Sequence, residues 1–348
     1  MKSYELPLSK RKPLGKTNLM ASPFGFGALQ LTNLDLGSCK ELIHRALYYG
    51  INWFDTARDY FASEYKLGCS LKGRREETIL LTKTQKVDKD SLIKDLDTSL
   101  SELQTDYIDI YLFHKALPFI RNNEGVIEEL LNQLEKEKKK GKIRSIGISS
   151  HRLENAMIAL DYDTIDVAMI PFNFISTEFM DYDFISMAKK KDVAVLGMKP
   201  FGGGRIPDIK LCIDYLKKYQ DISPCFGMKS ISELESNMRY WNSETNDPMR
   251  TDDMDYYAKL LGKFYCRGCG YCMPCPNGIN IPLIAFLKIN MGQVPAVELF
   301  NKEMEEEVRK VKNCNRCGRC AAKCPFELDI PALIKENSSF YLKSNMDP

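Results

Sequence analysis

Between about residue 22 and residue 240 one pattern repeats: a short β-like run, a turn, then a longer amphipathic stretch of helical period. The strand-like runs are Pro23–Phe26, Ile51–Phe54, Ile79–Thr82, Tyr107–Phe113, Ile143–Ile148, Val167–Ile170, Val193–Gly197 and Pro224–Phe226. The helical segments between them include Cys39–Tyr49, Ser91–Leu103, Val126–Lys140, Leu153–Leu160, Phe179–Lys190, Ile209–Tyr219 and Ile231–Tyr240. Eight strands, each followed by a helix, predict an α/β fold of the (β/α)₈ TIM barrel type. A doubly wound open sheet would normally carry a G-x-G-x-x-G turn after its first strand. Here Gly25-Phe26-Gly27 runs into Ala28, Leu29 and Gln30, so that fingerprint is missing.

Composition narrows the function. The chain of 348 residues is long enough for one large domain and one small one. With 49 basic and 47 acidic residues its net charge is +2, which points to neither nucleic acid nor an anionic membrane as partner. No apolar run approaches a membrane span. Lys10-Arg11-Lys12 is followed by Pro13, Gly15, Lys16 and Asn18 where a signal peptide would need apolar residues, so a cytoplasmic location is expected. The cationic run Lys136–Lys142 closes a predicted helix and reads as a solvated terminus.

In such a barrel the chemistry sits where the strands end. Asp55 closes the second strand and Tyr60 follows in its loop; alone, these two read as a helix cap and a surface phenol. Lys83 closes the third strand and His114 the fourth. Together an acid, a phenol, an amine and an imidazole form a proton-handling set. An ammonium beside the phenol is expected to lower its pKa, Asp55 to hold the ammonium, and His114 to donate to or orient a substrate oxygen.

The residues from about 10 to 240 resemble the aldo-keto reductases. The likeness runs through Phe54-Asp55-Thr56-Ala57 with Tyr60, Ser63-Glu64, Leu81-Thr82-Lys83, Thr105–Asp109 leading to His114, and Gly141–Ser149. It continues through Pro171-Phe172-Asn173, Lys199-Pro200 with Gly202–Gly204, and Gly227 to Asn237. The resemblance implies an NAD(P)-dependent reductase of carbonyl compounds, with Tyr60 as proton donor assisted by Asp55, Lys83 and His114. It also implies cofactor contacts from Gly27, Ala28, Ser149, Ser150, Asn173, Met198, Lys199, Gly227, Lys229, Ser230 and Asn237. Several of these depart from the family's habit. The usual Ser-Asn pair on the carboxamide reads Ser149-Ser150, the usual Gln aligns with Met169, and the usual stacking aromatic with Met198. The arginine that often meets the 2′-phosphate of NADP reads Glu233, so NADP is not favoured over NAD, although Lys229 lies close by.

Eight of the twelve cysteines lie between Cys266 and Cys324. Cys266, Cys269, Cys272 and Cys275-Pro276 form one run, and Cys314, Cys317, Cys320 and Cys324-Pro325 the other. Each is followed by a similar tail, Ile279-Asn280-Ile281-Pro282 and Leu328-Asp329-Ile330-Pro331. Spacings of two residues let three thiolates converge on one cubane, with the fourth supplied by the other half. Two [4Fe–4S] clusters are therefore expected, one on Cys266, Cys269, Cys272 and Cys324, the other on Cys314, Cys317, Cys320 and Cys275. Zinc also takes paired C-x₂-C motifs, but four cysteines ending in Cys-Pro in each run fit iron–sulfur better. Disulfides suit the expected compartment least. The intervening Leu283–Asn290 and Ala296–Lys312 read as helices, so the module resembles a helical ferredoxin, and the whole chain resembles the ferredoxin-fused aldo-keto reductases. The expected domains are a barrel at 1–250, a linker at 251–262, the ferredoxin-like module at 263–335 and a tail at 336–348. The single Cys39, Cys69, Cys212 and Cys225 read as small buried apolar residues.

Three functions compete. The first is an oxidoreductase acting on a small carbonyl or alcohol, its clusters exchanging electrons with a redox partner protein. The second is an electron-transfer protein whose barrel is a docking scaffold, and the third a plain carbonyl reductase with structural clusters. Nicotinamide moves two electrons as hydride and the clusters move one, a gap that a flavin would bridge, yet no flavin motif is seen. The substrate is not legible.

Overall fold

The computed structural model describes residues 10–115, 124–181, 183–244, 250–262, 266, 270, 272–290, 296–324 and 326–344. The chain divides into two compact units, Met1–Arg250 and Thr251–Pro348. Among the described residues no helix is long and apolar enough to cross a membrane.

Eight parallel strands close the barrel of the first unit, confirming the expected fold. They are β1 (Gly25–Gly27), β2 (Trp53–Asp55), β3 (Ile79–Thr84), β4 (Ile108–Phe113), β5 (Ile143–Ser149), β6 (Val167–Pro171), β7 (Ala194–Met198) and β8 (Ile222–Gly227). Each pairs with the next, and β8 closes on β1 with Cys225 opposite Gly25 and Gly227 opposite Gly27. A short antiparallel pair, Lys12–Pro13 with Met20–Ala21, precedes the barrel and was not legible as strands.

The helices of this unit are α1 (Leu36–Tyr48), α2 (Ser63–Leu71), α3 (Lys89–Glu102), α4 (Glu124–Lys139), α5 (Leu153–Ala159), α6 (Glu178–Asp181), α7 (Phe184–Lys190), α8 (Ile209–Leu216) and α9 (Ile231–Asn242). Four begin on a side chain that accepts the backbone N–H three residues on. Asp35 takes it from Ser38 at 3.0 Å, Asp88 from Ser91 at 2.9 Å, Asp208 from Leu211 at 2.9 Å and Ser230 from Glu233 at 3.2 Å. Such caps contribute about 1 kcal/mol each. Helix α2 escapes periodicity reading because Ser63, Glu64, Gly68 and Ser70 are buried beside Leu67 and Leu71, so polar and small residues fill its inner face. The expected helix Phe179–Lys190 is split in two, with Asp183 at a φ of 32°.

The regular structure of the second unit, among the described residues, is helical, with the cysteine runs largely in loops between helices. Its helices are α10 (Thr251–Gly262), α11 (Ile281–Ala285), α12 (Leu287–Asn290), α13 (Ala296–Leu299), α14 (Lys302–Arg309), α15 (Arg319–Ala322) and α16 (Ile330–Ser344). Three readings change. The segment 251–262, expected as a linker, is helix α10, with Asp252 and Asp253 in the first turn where the helix dipole favours acids. The expected tail from 336 is helical to Ser344, because Asn337 donates to Ile284 O and Ala285 O at 3.0 Å and the Tyr341 hydroxyl to Leu299 O at 2.7 Å. The expected helix Ala296–Lys312 breaks at Asn301, whose side chain accepts the Met304 N–H at 2.8 Å and starts α14 afresh.

The barrel interior is filled by Trp53, Ile79, Leu81, Ile110, Leu112, Val167, Met169, Leu196 and Cys225. Trp53 is 1% exposed and its indole N–H donates to Ser22 O at 3.1 Å. It fills the space that a side chain on β1 would need: a Cβ on Gly25 would lie 2.1 Å from its ring. Gly25→Ala is therefore expected to destabilise the barrel by about 1–3 kcal/mol, read as a lower denaturant midpoint with unchanged slope. An unaltered midpoint would show that the Trp53 ring has room to move.

Candidate active site

The strand ends bring the four expected residues to one mouth. Asp55 is the last residue of β2, Lys83 the penultimate residue of β3, and His114 follows β4 directly. Lys83 is 1% exposed, and its ammonium donates to Asp55 Oδ1 and, at 2.7 Å, to the Thr56 carbonyl oxygen. An ammonium so deeply buried is tolerable only with such partners. Burial raises the pKa of Asp55, with the Lys83 charge pulling the other way.

The loop carrying Tyr60 is fastened to the neighbouring strand. Thr56 N–H donates to Leu81 O at 2.8 Å and Arg58 N–H to Lys83 O at 2.9 Å. The Arg58 guanidinium grips both oxygens of Glu102 at 3.0 Å and also reaches Glu64, which accepts the Thr82 hydroxyl at 2.6 Å. Ser63 hydrogen-bonds Thr56 and donates to Ala28 O, each at 2.8 Å. The Ser63-Glu64 pair is thus part of the scaffold that holds the phenol. Phe61, beside Tyr60, takes a φ of 49°, a conformation that costs a non-glycine residue about 1–2 kcal/mol.

The Tyr60 ring lies between the other members of the set. Lys83 Nζ is 5.1 Å from its centroid, and the His114 ring meets it edge-on at 5.7 Å. The expected lowering of the Tyr60 pKa is not what this environment produces. Burial raises it well above the usual phenol value, and the carboxylates of Asp55 and Asp59 add to the rise. At neutral pH the group is a phenol.

Asp59 was missed in the sequence. Its Oδ1 meets His114 Nδ1 at 2.7 Å and its Oδ2 accepts from Gln85 Nε2. Although burial opposes its charge, the hydrogen bond and charge of His114 hold the Asp59 pKa down at about 2. An ionised carboxylate only accepts, so Nδ1 of His114 carries a proton. Burial depresses the His114 pKa, and Lys83 and Lys115 lower it further against the pull of Asp59, so the imidazole is neutral and its Nε2 is bare. That leaves Nε2 as an acceptor, so of the two expected roles, donating to or orienting a substrate oxygen, this arrangement favours the second. His151, just after β5, is a second imidazole pushed well below its ordinary pKa, by burial and then by Lys199, His114 and Lys115. Its position directly after Ser149-Ser150 was the available signal.

The expected cofactor contacts fall at strand ends and loops, but several polar groups are already engaged. Ser150 Oγ donates to Arg152 O at 2.8 Å and accepts the Arg152 N–H at 3.1 Å. Asn173 donates to Lys199 O and accepts from Ile175 and Ser176, holding its own loop. Ser149 Oγ accepts the Lys115 N–H at 3.1 Å and retains its hydroxyl hydrogen to donate. Gly27, Gly227 and Met198 end β1, β8 and β7, Ala28 opens the turn after β1, and Lys199 follows β7 at a φ of 55°. A Cβ on Gly227 would meet nothing within 4 Å, so its backbone is open to close approach. At α9, Ser230 caps the helix and Glu233 Oε2 accepts the Lys229 N–H at 2.9 Å, which puts a carboxylate at the helix start. Asn237 is buried on α9. Of the expected contacts, Ser149 and Gly227 are thus the least engaged within the protein, and Glu233 places a negative charge at the start of α9.

In the second unit the described cysteines gather around two small cavities, each of about 20 Å³. Cys314, Cys317 and Cys320 share the first with Cys275 and Cys272; Cys266 and Cys272 share the second with Cys324. Cys275 and Cys324 have each crossed to the other run's cavity. Cys269 and Pro325 lie outside the described residues. Among the described residues no carboxylate lines either cavity, and the walls include apolar side chains such as Ile279, Ile281 and Ile334 in one and Leu328, Ile330 and Leu333 in the other. A thiol-rich, carboxylate-free lining suits iron–sulfur clusters. Of the single cysteines, Cys39, Cys212 and Cys225 are buried, while Cys69 is only half-buried and accepts from Gln104 at 3.1 Å.

Removing the Lys83 charge should leave Asp55 buried and unpaired. Lys83→Met is expected to cost about 3–5 kcal/mol, and adding Asp55→Asn to recover most of that. Chemical denaturation measures both; equal stability of the single and double variants would show that the pair is not coupled.

Comparison with known proteins agrees with this geometry. The aldo/keto reductase family profile matches residues 23–210, more than half of the chain, and a 4Fe-4S dicluster domain matches residues 265–329. The chain is 28% identical over 278 residues to the L-galactose dehydrogenase of Arabidopsis thaliana, covering 65% of this chain and 86% of that protein. It is 31% identical over 211 residues to the NAD(P)H-dependent D-xylose reductase of Scheffersomyces stipitis, covering 51% of this chain and 64% of the relative. The holo form of an aldo-keto reductase from Bacillus halodurans shares the fold, with a TM-score of 0.61 at 23% identity over 72% of this chain and 96% of that one. The chain belongs to the aldo/keto reductase family and carries a C-terminal 4Fe-4S dicluster domain.

Proposed function

We propose that the barrel interconverts a small carbonyl compound and its alcohol with NAD(P), and that Tyr60 is the proton donor in the reductive direction. The observation that carries this reading is the half-buried Tyr60 ring within 5.1 Å of the Lys83 ammonium and 5.7 Å of the His114 imidazole. A bound nicotinamide supplies or accepts the hydride. The protein's part is the proton. Protonated at neutral pH, the Tyr60 hydroxyl is in the form that can donate to an oxygen gaining negative charge, and the Lys83 charge favours the phenolate left behind. Asp55 holds Lys83 in place. His114, with a bare Nε2, receives the hydroxyl hydrogen of the alcohol, so it orients the reduced ligand and leaves donation to Tyr60.

Ser149 and Gly227 are the contacts best suited to the cofactor, and Glu233 favours a ribose without a 2′-phosphate, hence NAD over NADP. The named relatives include an L-galactose dehydrogenase and a D-xylose reductase, which supports a small, polar carbonyl or hydroxyl compound as substrate. In the second unit, Cys266, Cys269, Cys272 and Cys324 would hold one [4Fe–4S] cluster and Cys314, Cys317, Cys320 and Cys275 the other, supplying one-electron chemistry. The crossed grouping of Cys275 and Cys324 supports that assignment.

The test pairs chemistry with integrity. Tyr60→Phe should lower turnover of small aldehydes by about 10²–10⁴-fold, with cluster absorbance and NADH binding unchanged and NADH binding more tightly than NADPH. Unchanged turnover would remove Tyr60 from the reaction, and tighter NADPH binding would remove the role given to Glu233.

A further inference from the structure

The two cysteine runs differ sharply in charge. From Arg309 to Lys323 the chain carries Arg309, Lys310, Lys312, Arg316, Arg319 and Lys323 with no acid, whereas Cys266 to Cys275 holds only Arg267. The two also differ in exposure. Asn315, Arg316, Cys317, Gly318 and Arg319 are all exposed, whereas Cys272 of the first run is buried. Beside this loop an open groove is lined by Lys288, Arg316, Lys335, Glu336, Phe340 and Lys343, among others. Its single acid, Glu336, is paired with Lys288. Arg309 and Lys310 pair with Glu305 and Glu307 of their own helix, but Arg316, Arg319, Lys335 and Lys343 have no acidic partner among the described residues. Arg316 lines both this groove and the cavity of Cys314, Cys317, Cys320 and Cys275, so the two share a wall.

We propose that an acidic one-electron carrier protein docks on the face formed by Arg316, Arg319, Lys335 and Lys343. The proposal rests on the reading that the adjoining cavity holds a [4Fe–4S] cluster. Unpaired cations cost little in water and lower the stability of a compact unit only through mutual repulsion. Arranged on one face they steer a negatively charged partner and fix its orientation. A small anion would be better served by converging, buried donors than by exposed side chains spread along a groove. The thiol loop at the edge of this face explains why the partner should carry an electron: docking brings its redox centre next to Cys317. In the exchange the carrier loses one electron and the cluster gains it, with no bond made and no proton moved. The same face serves the reverse direction.

The test uses the full-length protein, purified without oxygen, with iron content and electron paramagnetic resonance reporting the clusters independently of docking. A reduced acidic [2Fe–2S] ferredoxin is the probe, and cytochrome c, a basic one-electron carrier, is its charge-reversed control. Calorimetry should show binding of the ferredoxin and not of cytochrome c, weakening as ionic strength rises. Lys335→Glu combined with Lys343→Glu should weaken ferredoxin binding at least about tenfold while leaving the cluster signals intact. Equal binding by that variant, salt-independent binding, or cytochrome c binding as tightly would overturn the docking face. Absence of iron and of cluster signals in the native protein would overturn the reading beneath it, and this proposal with it.

Discussion

A lysine ammonium buried in the mouth of a barrel is the interaction on which the active end of this protein depends. Lys83 has almost no access to water, and its partners are one carboxylate and one carbonyl oxygen from the end of the adjacent strand. Such a charge cannot be solvated by rearrangement, so β2 and β3 must keep their register for the ammonium to remain satisfied. Parallel pairing places Asp55 opposite Leu81, two residues before Lys83, and the loop hydrogen bonds from Thr56 and Arg58 continue that ladder past the strand end. The phenol of Tyr60 is therefore presented by a loop held almost as firmly as a strand.

The second constraint is electrostatic. A half-buried phenol beside two carboxylates keeps its proton, and a neutral imidazole locked through Nδ1 onto Asp59 has only an acceptor left. One group that can give a proton and one that can receive a hydrogen bond, side by side, form a site with a direction built into it. Asp59, with its pKa held down at about 2, stays an acceptor for Nδ1 and so fixes which imidazole nitrogen is left free.

Much of this was legible in the residues. Eight strand–helix alternations specify the barrel because strands buried on both sides and amphipathic helices have distinct periods. The ends of consecutive strands gave Asp55, Lys83 and His114, since strand order in a barrel fixes which residues share a face. What stayed hidden has physical reasons. Asp59 lies in a loop, and nothing in its neighbours says that it folds back on a residue 55 positions away. The direction of the Tyr60 shift depends on burial, which a sequence does not record, and on the charges of Asp55 and Asp59, which add to the rise. Helix α2 buries serine and glutamate, and α10 begins with acids that resemble linker composition. The cysteine duplication was plain, and with it the expected exchange of Cys275 and Cys324 between the runs; the described cysteines group in the same way around the two cavities.

The proton assignments in the barrel mouth bear the whole account, because donor and acceptor roles would exchange if the imidazole carried its proton on the other nitrogen. The chain has 3 histidines, so ¹⁵N resonances of the labelled protein can be assigned with few variants. At neutral pH His114 should show a protonated Nδ1 and an unprotonated Nε2, and Asp59→Ala should abolish that preference. A protonated Nε2 beside a bare Nδ1 in the native protein, or an imidazolium with both nitrogens protonated, would contradict it.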